Sequence, residues 1–140
     1  MARSVSEIIA DIEDFRPSKG NWLGLDALLQ ELFLSGSASV GIDAMLHVFE
    51  RCPGEDGAGV FWSIVHGLES LPGYENRLVE SIRRVPSAFA LLMVNRLLNA
   101  ECREVGSVWL LSLLEQVAED ETARPELRQE ALEILDRHNP

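Results

Sequence analysis

Two short runs of chemically capable side chains stand out in this chain. Asp43, His47 and Glu50 are spaced i, i+4 and i+7, and Trp62, His66 and Glu69 repeat that spacing. On helices, each run lies along one face. A His beside a carboxylate can ligate a metal ion or pass a proton, and two such faces on neighbouring helices would pool their ligands. The order of the residues argues against metal. Helical two-metal carboxylate sites use Glu-x-x-His and draw further carboxylates from two more helices, whereas both pairs here read His-x-x-Glu. Proton transfer fares no better, because no nucleophile or substrate-binding loop accompanies either His. No catalytic residue, metal site or cofactor is expected, and the chain reads as a non-enzyme.

Other catalytic signatures are missing from the sequence. There is no phosphate-cradling glycine loop with Lys, no HExxH and no nucleophile elbow. Gly57, Gly59 and Gly67 follow no strand, so they make no dinucleotide fingerprint and are expected to let helices approach closely. Arg83 and Arg84 are too isolated to form a nucleic-acid patch. Binding is the better reading. Trp62 falls opposite the apolar stripe of Val60, Phe61, Ile64, Leu68 and Leu71, so it is either buried by a second packing side of its helix or an exposed aromatic anchor among acids. Glu55 and Asp56 lie between the two runs. The candidate partner-binding residues are thus Asp43, His47, Glu50, Glu55, Asp56, Trp62, His66 and Glu69, which converge on one acidic face if the two helices form a suitable hairpin.

The elements that must position these residues are all helical. Val5, Ile8, Ile9, Ile12 and Phe15 predict a first helix ending before Pro17, with residues 1–20 forming an N-terminal helix and loop. Residues 21–140 form the main helical body of a single domain. Asn21 is a candidate cap for a second helix, carrying Trp22, Leu25, Leu28, Leu29, Leu32 and Phe33, which Ser35 to Ser39 closes. A third runs from Val40 to Arg51. The fourth is expected from Gly57 to Leu71, with Asp56 as its N-cap and Pro72-Gly73 as its stop. Gly73 to Val85 is the fifth, with Arg77, Glu80, Arg83 and Arg84 on its exposed flank; Ser87 caps the sixth. The sixth, which carries a buried and hydrogen-bonded Asn95, and the seventh, from Val105 to Glu119, are apolar nearly all round and are expected to be the hydrophobic centre. A last helix opens at Thr122 and Pro125. No segment alternates with period two, so no sheet is expected. Helix starts recur about every 14 to 19 residues, which suits an all-α fold of seven to eight helices stacked as antiparallel hairpins, either a short solenoid or an irregular bundle.

Composition narrows the partner. The 140 residues carry 23 acids against 12 bases, a formal net charge of −11, and the first half is the more acidic. Such a field repels nucleic acid and anionic membrane and speeds encounter with a basic protein. Cys52 and Cys102 have no metal or disulfide spacing, which suits reduced thiols in the cytoplasm. The N-terminal run is broken by charges, unlike a signal peptide, and the longest apolar run, Ala88 to Val94, is far too short to span a bilayer.

The run GVFWSIVHGLESLPGYE, followed by SIRRVPSAFALLMVNRLLNA, resembles the central stretch of the small all-helical immunity proteins that accompany bacterial polymorphic and contact-dependent toxins. The resemblance covers Asn21 to the last helix. It implies a HEAT-like, cytoplasmic, non-enzymatic protein that protects its producer by binding the toxic C-terminal domain of a partner, expected to be basic and in some cases a nuclease. An acidic helical-repeat scaffold or adaptor would have the same composition. The resemblance carries no established binding motif, so it assigns no site residue.

Overall fold

Capping chemistry sets the helix boundaries. The structure, a computed structural model, describes residues 3–138. Ser4 opens α1 (Val5–Asp14) with a capping box: its Oγ accepts from the Glu7 N–H at 3.2 Å, and the Glu7 carboxylate accepts from the Ser4 N–H at 3.4 Å. Asn21 Oδ1 accepts from the Leu23 N–H at 3.0 Å, one step ahead of the expected geometry, so Trp22 is the capping position of α2 (Leu23–Leu34). Ser87 Oγ accepts from the Ala90 N–H and caps α6 (Ala88–Asn99). Between them lie α3 (Ile42–Arg51), α4 (Phe61–Glu69) and α5 (Tyr74–Arg84); α7 (Leu110–Glu119) and α8 (Pro125–His138) complete the chain.

The helices stack as hairpins in two layers. Consecutive helices pack in pairs, α1 on α2, α3 on α4, α5 on α6 and α7 on α8. Along one layer α1 meets α3 and α3 meets α5; along the other α2 meets α4, α4 meets α6 and α6 meets α8. This is the all-α hairpin stack that the helix rhythm predicts.

The second half of the chain departs from expectation in two places. The start of the seventh helix is instead a tight β-hairpin, with β1 (Glu104–Val105) antiparallel to β2 (Val108–Trp109). Gly106 turns it with φ 59°, a left-handed conformation that ends any helix. Of the two helices expected at the hydrophobic centre, α6 is there, touching α3, α4, α5 and α8 and burying Phe89, Ala90, Leu91, Met93, Val94 and Leu98, and α7 is not. The partner of α6 there is α3, which touches α1, α4, α5 and α6 and buries Ile42, Ala44, Met45, Leu46, Val48 and Phe49. By contrast α7 packs chiefly on α8 and leaves Ser112, Glu115, Gln116 and Glu119 exposed. As the outer helix of the last pair, α7 keeps one side wet however apolar its other side is.

Four aromatic rings from three helices and a cap fill the middle. Trp22 meets Phe61 edge-on at 5.1 Å between centroids, Phe61 meets Phe49 at 5.3 Å, and Phe89 stands edge-on to Phe61 at 5.5 Å. The chain reaches α4 through Gly57, Ala58 and Gly59, all with positive φ, so α4 begins at Phe61 and not at Gly57. Asp56 still caps this entry, its Oδ1 accepting from the Ala58 N–H at 2.9 Å. Of the three glycines expected to allow close approach, Gly67 does so against Phe33, whereas Gly59 faces open space and is needed for its φ of 90°.

Candidate functional site

The two candidate runs do not converge. In each hairpin the apolar stripes of the two helices face each other, so their polar faces look away from one another. The α3 run is engaged within its own layer. His47 Nδ1 lies 2.7 Å from Glu13 Oε2 of α1, and Arg51 donates to the Ile12 carbonyl at 2.9 Å and to Glu13 at 3.4 Å. Asp43 pairs with Arg77 of α5 at 3.4 Å. Glu50 accepts from Ser81 Oγ at 2.7 Å and from Arg84 Nη2 at 2.9 Å, and this carboxylate raises the Arg84 pKa further. Of the three cations on the exposed flank of α5, Arg77 and Arg84 are thus paired with α3 acids, and Arg83 is not. These bonds tie three helices together and leave the α3 acids largely neutralised.

The α4 run is built differently. Trp62 and His66, one turn apart, bring their rings to 5.8 Å. Arg96 of α6 lies over the Trp62 ring, 5.9 Å from its centroid, while its Nε and Nη2 donate to the two Glu69 oxygens at 2.7 and 2.8 Å. Those hydrogen bonds hold the Glu69 carboxyl below its usual range and push the Arg96 guanidinium up. Phe89 meets Trp62 edge-on at 5.7 Å. Trp62 is thus braced on three sides and still 39% exposed. Glu55 and Asp56 are exposed in the turn before α4, so Glu55, Asp56, Trp62, His66 and Glu69 remain as the site, and Asp43, His47 and Glu50 belong to another surface.

Phe89 and Arg96 join the site without any local mark in the sequence. The one available signal is that Arg96 is the sole charge within an otherwise apolar helix, which asks for an acidic neighbour. Asn95, half-buried, accepts through Oδ1 from His138 Nε2 of α8 at 2.8 Å, the interhelical bond its position predicts. Among the described residues no three His, Cys, Asp or Glu side chains gather as metal ligands, both cysteines are free, and no helix is long and apolar enough to cross a membrane.

The fold and this braced aromatic face define an all-α protein of stacked helical hairpins with an exposed aromatic ledge. Compared with protein-family models, curated proteins and solved structures, the chain gives no significant match.

Proposed function

We propose that this chain is an immunity-type protein that binds and neutralises a toxin domain in the cytoplasm, without catalysis of its own. The observation that carries this reading is Trp62, exposed yet held between Arg96, His66 and Phe89. A large ring fixed before binding loses little conformational freedom on contact, and Trp is the residue most enriched among interface hot spots. The net charge of −11 favours a basic partner and fast encounter with it. The sequence resemblance supplies the kind of partner, a toxin C-terminal domain.

A second reading, an acidic adaptor between two proteins, is favoured by a second apolar surface. Leu34 is 87% exposed beside a groove of about 590 Å³ between α1 and α2, lined also by Val5 and Ile8. The two readings separate on whether a toxin-like reading frame lies beside this chain's gene and, where one does, on co-expression with its product. The immunity reading expects growth to be rescued and the pair to co-purify, with Trp62→Ala folded by circular dichroism but failing to protect. No rescue and no complex would overturn it, and full protection by Trp62→Ala would move the binding face elsewhere.

A further inference from the structure

A groove of about 390 Å³ runs between the turn at Gly54, the start of α6 and α8. Its floor is apolar, made by Phe89, Leu92 and Leu127. Phe89 is also the ring that Trp62 meets edge-on at 5.7 Å, so one buried ring links the exposed aromatic to the groove. At the small end of the roughly 300–1,000 Å³ typical of ligand pockets, it has room for a side chain or two and not for a folded element.

The rim is acidic. Glu126 and Glu130 of α8 line it, and Glu55 and Asp56 directly follow Gly54. Among the described residues Glu55, Asp56 and Glu130 have no cationic partner. The one cation at the rim is Arg124. Its Nε is 3.5 Å from Glu126 Oε2, and its guanidinium rests against Gly54, where a Cβ would stand 2.8 Å from Nη1. Both members of that pair are well exposed, at 56% and 73%, so the bond is weak and open to exchange. The lining of the groove thus already includes a guanidinium from its own chain.

Resting on the binding reading above, we infer that the groove receives an extended segment of the partner in which one large apolar side chain is flanked by Lys or Arg. The apolar side chain covers Phe89 and Leu92, and the cation takes the place of Arg124 at Glu126 with the unpaired Glu130 one turn further along α8. An acidic segment would bring like charges together at the rim, and a purely basic one would leave the apolar floor wet.

The test uses the full chain, isotope-labelled on its Leu methyls, and three blocked peptides: Gly-Lys-Phe-Arg-Lys-Gly, Gly-Glu-Phe-Glu-Glu-Gly, and Gly-Lys-Gly-Arg-Lys-Gly. The first should shift the Leu92 and Leu127 methyl signals saturably and weaken with salt, and the Glu126→Gln/Glu130→Gln variant should lose about tenfold in affinity. The acidic peptide should give no shift, and the peptide lacking Phe should bind at least about tenfold more weakly. Unmoved Leu92 and Leu127 signals, equal binding without Phe, or saturable binding of the acidic peptide would each overturn the inference. Toxin protection that survives Glu126→Gln/Glu130→Gln, when peptide binding does not, would remove the groove from the interface and leave neutralisation standing. Peptide binding without protection would do the reverse.

Discussion

Gly67 of α4 lies under the ring of Phe33 of α2, so closely that a Cβ there would stand 2.6 Å from Phe33 Cζ. The missing side chain sets the spacing of α2 and α4 and, with it, the angle at which α4 presents Trp62 and His66. Gly67→Ala gains helix propensity, roughly 1 kcal/mol, but the ring must move, and such overpacking costs about 1–3 kcal/mol. A net loss of about 1 kcal/mol is expected from urea denaturation. Phe33→Leu in the Gly67→Ala background should recover part of it, since the two residues share one contact.

The approach to α4 stores backbone strain. Ala58 has φ 52° and ψ 38°, between Gly57 and Gly59, which also have positive φ. A left-handed residue with a Cβ costs about 1–2 kcal/mol, and Gly relieves this while adding unfolded-state freedom. Ala58→Gly should therefore stabilise by up to about 1 kcal/mol in thermal or urea unfolding. Gly57→Ala should do the opposite, by about 2 kcal/mol or more, because its Cβ would also run into the Phe61 ring.

The bond between Glu69 and Arg96 predicts a dependence on acid. Arg96 holds the folded-state carboxyl below its ordinary value of 4.5, so above that value the folded state gains the full benefit of the ionised form. The benefit is lost as pH falls through the folded-state value. Glu69→Gln should thus destabilise at neutral pH and much less near pH 3. Equal penalties at the two pH values, measured by urea unfolding, would rule out an ionic contribution from this carboxylate.

Tyr74 offers a matching test at the alkaline end. It is the only tyrosine of the chain, and its burial, aided by Glu75 and Glu69, pushes the phenol up to about 12 from 10.0. Absorbance at the phenolate band should titrate with a midpoint near that value. The unfolded chain ionises first, so stability attached to Tyr74 is complete below 10.0 and falls as pH rises through about 12. Tyr74→Phe should flatten this part of the profile, and a phenolate midpoint near 10 in the folded protein would contradict the burial.

Helix existence and approximate length were legible residue by residue, because caps, prolines and the i, i+4 stripe act within one or two turns. Pro17, Ser87 and the Pro72-Gly73 pair mark boundaries that the fold keeps within a few residues. An apolar stripe says which side of a helix turns inward, though not which helix it meets. That choice lies with contacts between distant residues: Glu50 with Arg84, Glu69 with Arg96, and Phe89 with Trp62. It put α3 beside α6 at the centre in place of α7 and set the Asp43 and Trp62 runs on separate layers, whereas the hairpin at residues 104–109 follows from the left-handed Gly106. The groove was beyond local reading for the same reason. Gly54, Leu92 and Glu130 lie in three separate segments, and only the stacking of α8 on α6 brings them to one surface.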